Sequence, residues 1–415
     1  MFIFIFLSNI YQANSIDIRE MCQISNLELT GAEGIRWMKC RSYKNDLKLR
    51  GITVAFRHGE RSPMKIPDNL EDCDVKSKAD KGRFRRYKKL AFSKKFQNYF
   101  QIDASLSNFS RVPDERKCES GMLTVNGAIQ HLKLGRLFND RYSKHLQNPE
   151  IQVTTSKFSR TFQSVLAFLS EFLPKTYIHI TASNYSFQCT DSFCDCGKNV
   201  RWREIFKEQR DKYFENYIKT NKDLDLINKL RGFKDPLKLI DNMLGRYICR
   251  GKQLPDGMSY EILNEMLNIT NIRSQKLFES DGLTKKLFYL EAWPVLSYVR
   301  QIIQETRDGN EKSFIQIFSG HDILLSPILR VLGISFDDPP HYTSRIVFEI
   351  YQDLNSKQDL YIRILYNGEN RSWDAKFCED SIHGMCRATE FEKFMEEKEY
   401  FKNIGMNGFE DSCQI

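Results

Sequence analysis

The segment Gly51-Ile-Thr-Val-Ala-Phe56, running straight into Arg57-His-Gly-Glu-Arg-Ser-Pro63, decides how the rest of the chain is read. Six uncharged residues with β-branched members predict a buried strand, and the Gly and Pro that follow mark a polar loop. Two more segments share this grammar. Ile151-Gln-Val-Thr-Thr155 leads into Lys157-Phe-Ser-Arg160, then an apolar-periodic stretch through Phe162, Leu166, Leu169 and Leu173 to Pro174. Phe314-Ile-Gln-Ile-Phe318 leads into Ser319-Gly-His-Asp322, then an apolar run from Ile323 to Leu332 closed by Gly333. Ser or Asp before apolar periodicity and Gly after it are helix start and stop signals. Strands alternating with helices predict an α/β fold with a central, mainly parallel sheet flanked by helices. Ligands of such sheets sit beyond the carboxyl ends of the strands, where all three loops would meet.

The α/β core is expected over residues 47–184 and 283–390. Between them, residues 185–282 carry long charged helix-like runs such as Arg203-Glu-Ile-Phe-Lys-Glu-Gln-Arg210, which predict an inserted helical cap. Ile346-Val-Phe-Glu-Ile-Tyr351 and Leu360-Tyr-Ile-Arg-Ile-Leu365 alternate and predict a hairpin at a sheet edge. Residues 391–415 form a C-terminal tail. Residues 1–16 open with Phe2-Ile-Phe-Ile-Phe-Leu7, too short for the ~20 apolar residues of a membrane span. That run reads as a signal or anchor remnant, with an apolar first strand as the alternative.

With 41% hydrophobic and 28% charged residues the composition is that of a folded globular protein. The net charge of +8 reads first as a solvated face and second as attraction for an anionic substrate. No nucleic-acid module is present, so DNA and RNA are not expected partners. Eleven cysteines spread along the chain fit disulfides in an oxidising compartment, and the odd total leaves at least one outside an internal pair. Cys189, Cys194 and Cys196 have no matching Cys/His pair at finger-like spacing, so disulfides are favoured there over a metal. Sequons at Asn108, Asn184, Asn268 and Asn370 permit N-glycosylation.

The three loops hold the chemistry. They offer Arg57, His58 and Arg61, then Arg160, then His321 with Asp322. Three guanidiniums and two imidazoles converging on one point repel each other unless an anion lies between them. Guanidinium forks match phosphate oxygens, so a phosphoryl group is the natural occupant. A neutral imidazole can attack phosphorus, and a carboxylic acid beside it can protonate the leaving alkoxide. Taken singly, each residue reads as structural: a lone His after a strand, or an Arg in a surface ion pair. His131 and His145, inside helix-like segments, keep that reading. Cys118 lacks the Arg six residues on that a cysteine phosphatase needs, and Asp223-Leu-Asp225 has no apolar strand before it.

Arg57-His-Gly-Glu-Arg-Ser-Pro63 resembles the R-H-G-x-R-x-P signature of the histidine acid phosphatases, and Ser319-Gly-His-Asp322 their His-Asp motif. Similar stretches include Cys118 to Gly135, Ser159 to Ser164 and Arg363 to Gly368. The resemblance covers about residues 47–413. It implies His58 as phosphorylated nucleophile, Asp322 as proton donor, and Arg57, Arg61, Arg160 and His321 as phosphate ligands. No metal and no cofactor are implied. It further implies a Golgi enzyme acting on a phosphorylated glycan, the xylose 2-phosphate of the glycosaminoglycan–protein linkage region, with Golgi glycosyltransferases as possible associates. Membrane contact would come only through an N-terminal anchor. The competing expectations are a lysophospholipid, inositol phosphate or general phosphomonoesterase, and a non-catalytic glycan-binding protein.

Overall fold

Strand β1 (Leu47–Arg57) is buried on both faces from Leu49 onward, as strands covered by helices on each side must be. The computed structural model describes residues 17–22, 46–64, 78–116, 119–183, 196–220, 236–382 and 384–413. The remaining strands in chain order are β2 (Phe100–Ile102), β3 (Glu150–Ser156), β4 (Ile178–Ser183), β5 (Phe314–Gly320) and β6 (Arg345–Asp353). They continue with β7 (Leu360–Tyr366), β8 (Glu369–Asn370), β9 (Ser381–Ile382) and β10 (Met385–Arg387). The sheet order is β2-β4-β3-β5-β1-β6-β7-β10-β9, with β8 paired to β7.

The sheet is mixed. From β2 to β1 all pairings are parallel, and from β1 onward all are antiparallel. The parallel character is therefore confined to the half that carries the three expected loops. The β6–β7 hairpin forms, but its place differs from the edge read from sequence. β6 lies against β1, and β7 lies between β6 and β10. Its alternating polar residues face no solvent. Glu349 is fully buried and is bound by Arg363, Tyr142 (2.7 Å) and Tyr351 (3.2 Å), while Arg363 also donates to the Tyr351 hydroxyl at 3.0 Å. A buried ion pair with its hydrogen bonds satisfied imitates the polar face of an edge strand.

Helices cover both faces. Ile52, Val54, Phe56, Ile315 and Ile317 pack with Phe138, Phe162 and Phe168 from helices Val125–Tyr142 and Ser159–Phe172. On the other face Ala55 and Phe318 pack with Leu296, Leu325 and Phe401, from helix Gly282–Arg307, helix Asp322–Leu332 and the C-terminal helices. Between β4 and helix Gly282–Arg307 lie helices Gly197–Thr220, Pro236–Arg246 and Tyr260–Ser280. They share a separate small core in which Phe214, Ile240, Met243, Leu263 and Met266 bury Ile18 and Met21 of the short Ile18–Cys22 turn.

Among the described residues, Cys22 pairs with Cys249, Cys196 with Cys413 and Cys378 with Cys386. The other five cysteines, residues 1–16 and the Asn184 sequon lie outside the described residues. No helix among the described residues is long and apolar enough to cross a membrane. Replacing Glu349 by Ala strands the buried Arg363 charge and is expected to destabilise the fold by about 3–5 kcal/mol. The shift in chemical-denaturation midpoint measures this, and a change below about 1 kcal/mol would contradict a buried pair of this kind.

Candidate active site

Each site residue is carried by a strand end or by the helix that starts there. Arg57 closes β1 and His58 follows it, with its backbone held on two sides. The His58 N–H donates to the Gly320 carbonyl at 3.0 Å, and its own carbonyl accepts from Thr343 N–H at 3.2 Å. Gly59 and Gly127 are required by close approach. A Cβ at Gly59 would fall 2.3 Å from the Gly127 carbonyl oxygen, so the loop rests directly on helix Val125–Tyr142. Thr124 caps that helix through Gly127 N–H (3.0 Å), and Gln130 accepts from Glu60 N–H at 2.7 Å. Glu60 is buried against Thr124 (3.1 Å) and Asn126 (2.5 Å), and burial raises its carboxyl above the ordinary value. The Gly-His-Asp turn and Arg160 both sit at helix N-termini, where backbone dipoles favour an anion.

The six expected residues come together. His58 and His321 are 2% and 1% exposed, with ring centroids 5.3 Å apart, edge to face. Arg57, Arg61 and Arg160 are buried around them. Arg57 stacks on Tyr342 (4.8 Å), donates to the Pro340 carbonyl and stands 3.5 Å from Asp322. Arg160 stacks on Phe158 (4.5 Å) and approaches His321 Nδ1 at 3.3 Å. An arginine only donates, so His321 Nδ1 accepts and Nε2–H points to Ser156 Oγ at 2.9 Å. His58 Nδ1 lies 2.8 Å from the Gly59 carbonyl oxygen, which can only accept. The ring proton therefore sits on Nδ1, and Nε2 keeps its lone pair.

Burial first, then the charge of Arg160 and the neighbouring groups, pushes the His58 pKa well below the ordinary 6.5. His321 moves the same way, from burial, Arg160, Arg57 and Arg61. Burial alone would raise the Asp322 carboxyl, but Arg57, Arg61 and Arg160 outweigh it and hold it below 3.8. The site thus brings together two neutral imidazoles, three guanidiniums and an ionised Asp322, with its carboxylate 30% exposed. That combination offers an imidazole lone pair, a cluster of donors suited to an anion, and a carboxylate beside them.

Sequence reasoning missed Tyr342, which floors Arg57 and lies 5.9 Å from His58. It also missed Ser156, Ser164 (which accepts from Gly59 N–H at 3.2 Å) and Asp241, paired with Arg61 at 2.6 Å. Only Ser164, within a stretch quoted for its resemblance, carried any signal. His131 lies behind β1 against Phe56 (4.9 Å), and burial lowers it to about 3. His145 is exposed in the turn that follows helix Val125–Tyr142, outside the helix read from sequence, and its pKa is lowered by burial and then Lys144. Among the sequons, Asn108 is exposed and Asn268 half-buried in the middle of a helix. The Asn370 amide is committed to Gly384 O (2.8 Å) and Ser372 (2.7 Å), so a glycan there would break a buried turn. No group of three or more His, Cys, Asp or Glu residues suited to a metal occurs among the described residues.

The fold and the geometry of this site suit a hydrolase that handles phosphoryl groups. Residues 48–224 match the model of the histidine phosphatase superfamily, branch 2. The chain is 28% identical over 401 residues to the Homo sapiens protein 2-phosphoxylose phosphatase 1, covering 88% of this chain and 81% of that one. The Xenopus tropicalis protein of the same name is 26% identical over 400 residues, covering 89% and 78%. Bos taurus lysosomal acid phosphatase is 23% identical over 338 residues, covering 76% and 70%. The crystal structure of Bifidobacterium longum multiple inositol polyphosphate phosphatase with phosphate shares the fold, with TM-score 0.52 at 12% identity over 95% and 100% of the chains. Residues 48–224 thus carry a histidine phosphatase branch 2 domain, and the protein is a phosphoric monoester hydrolase.

His58, His321, His131 (held at about 3) and His341 (burial, then Arg57, holds it at about 4) all take a proton more readily once unfolded. The stability this contributes is present above pH 6.5 and is lost as pH falls toward the folded values. Without phosphate, the denaturation midpoint is expected to drop between pH 7 and pH 5, by up to about 1.4 kcal/mol per pH unit per buried imidazole. A flat profile over that range would mean that these rings are solvated.

Proposed function

We propose that this protein is a phosphomonoesterase that works through a phosphohistidine on His58. Its substrate in this reading is a phosphorylated glycan, the xylose 2-phosphate of the glycosaminoglycan–protein linkage region. The observation that carries the chemistry is the pinning of His58 Nδ1 to the Gly59 carbonyl, which leaves Nε2 as an unprotonated nucleophile among three guanidiniums. The substrate rests on similarity to the 2-phosphoxylose phosphatases.

In the first step the Nε2 lone pair attacks phosphorus and the P–O bond to the sugar breaks. Arg57, Arg61 and Arg160 neutralise the oxygens of the transferring group, which is where most of the barrier lies. His321, still neutral, donates to one of those oxygens through Nδ1–H once the Ser156 hydroxyl becomes the donor to Nε2. The departing alkoxide takes its proton from Asp322. An ionised Asp322 cannot serve as that donor, but a phosphate dianion offsets the guanidinium charge that holds its carboxyl down. Substrate binding therefore raises the Asp322 pKa and loads the acid when it is needed. In the second step Asp322, now a base, takes a proton from water as its oxygen displaces His58 from phosphorus, and inorganic phosphate leaves. The balance closes with no metal and no cofactor.

The helices between β4 and helix Gly282–Arg307 form a cap that selects the leaving group. The lumen of the secretory pathway, with the Golgi as the compartment, fits the disulfides and the similarity to 2-phosphoxylose and lysosomal acid phosphatases. Association with Golgi glycosyltransferases and an N-terminal anchor complete this reading, and among the described sequons Asn108 is the best exposed for a glycan.

Turnover of a phosphoxylosyl linkage oligosaccharide, inositol hexakisphosphate and lysophosphatidate, compared side by side, tests the substrate. Preference for either of the latter would overturn it. Asp322→Asn is expected to lower kcat on the sugar phosphate by about 10²–10⁴-fold. The loss on p-nitrophenyl phosphate, whose leaving group needs little protonation, should be far smaller. Equal losses on both would remove Asp322 from the role of acid.

A further inference from the structure

A second carboxylate stands against the guanidinium cluster, on the helix Pro236–Arg246. Asp241 Oδ1 meets Arg61 Nη1 at 2.6 Å, and Oδ2 accepts from the Met64 backbone N–H at 2.8 Å. The side chain is 18% exposed, at the open side of the loop that carries His58. It is fixed in place. Ile240, Met243 and Leu244 lock the helix into the small cap core. One turn beyond Asp241, a Cβ at Gly245 would fall 2.6 Å from Pro63 Cδ, so helix and loop touch without slack.

The charges around one phosphate then balance. Arg57, Arg61 and Arg160 supply three positive charges, and a phosphate dianion with Asp241 supplies three negative ones when Asp322 holds its proton. A second phosphate beside the first adds charge that this balance leaves uncovered, next to a fixed carboxylate. A neighbouring hydroxyl has the opposite fate, since it can donate to the Asp241 oxygens. We propose that Asp241 is a specificity-determining residue that selects monoesters flanked by free hydroxyls, as in a singly phosphorylated sugar, and rejects polyphosphorylated polyols. This rests on the phosphatase reading above and narrows its substrate class.

The test uses Asp241→Asn, which keeps shape and hydrogen-bond acceptance, and Asp241→Ser, which removes the charge with less bulk. Each is compared with wild type for inhibition of p-nitrophenyl phosphate hydrolysis by myo-inositol hexakissulfate, a polyanion that is not turned over, and by inorganic phosphate. Removal of the fixed charge is expected to tighten hexakissulfate about tenfold more than it tightens phosphate. The kcat/KM for a xylose 2-phosphate glycoside, relative to p-nitrophenyl phosphate, is expected to fall about tenfold. Equal shifts for both inhibitors, or an unchanged substrate ratio in folded variants, would overturn the proposal. A wild type that hydrolyses no monoester would defeat the phosphatase reading instead, and calorimetric titration of the same two anions would still decide the role of Asp241.

Discussion

Three guanidiniums buried beside two imidazoles form an arrangement that no empty protein interior favours, and the rest of the structure is organised to hold it. Arg57, Arg61 and Arg160 are each drawn toward a local partner: Asp322, Asp241 and His321 Nδ1. Aromatic faces at Tyr342 and Phe158 support two of them from below. Burial, and then the same positive field, keeps His58 and His321 neutral, so one constraint yields both a cluster of anion-seeking donors and an imidazole with a free lone pair. The parallel half of the sheet delivers these groups because β1, β5 and β3 are adjacent and end at the same edge.

How much of this was legible depended on whether a residue announced its environment. β1, β3 and β5 did, because strands buried on both faces read as apolar runs, and a His or Arg just beyond such a run has nowhere to go but the sheet edge. The β6–β7 hairpin misled. Glu349 and Arg363 read as a solvated face, whereas they are paired in the interior with Tyr142 and Tyr351. Alternation reports polarity and cannot tell water from an internal partner. Asp241 was invisible for a related reason, since a carboxylate on a charged helix looks solvated until the fold brings Arg61 to it. Tyr342 belongs to a loop without periodicity, and only the tertiary contact with Arg57 reveals its place.

The site has two layers of different origin. Its floor, from the sheet and the helices packed on it, carries Arg57, His58, Arg160, His321 and Asp322. Its rim, where helix Pro236–Arg246 meets Pro63 and Arg61, comes from a part of the chain with a small core of its own. In the proposed reading the phosphate chemistry belongs to the floor, and discrimination among phosphate esters belongs to the rim. The short Ile18–Cys22 turn links the two layers. It packs into the rim's core, is bonded to it through Cys22–Cys249, and accepts hydrogen bonds at Met21 O from Tyr342 (3.4 Å) and at Cys22 O from Gln130 (2.9 Å).

The central claim is that His58 Nε2 becomes covalently phosphorylated. Rapid acid-free quenching during turnover of a ³²P-labelled monoester, followed by peptide mapping, reads this directly. One phosphate per active chain is expected on the peptide containing His58, stable to base and lost in acid, and absent from His58→Ala. Label on another residue, or full turnover by His58→Ala, would contradict it.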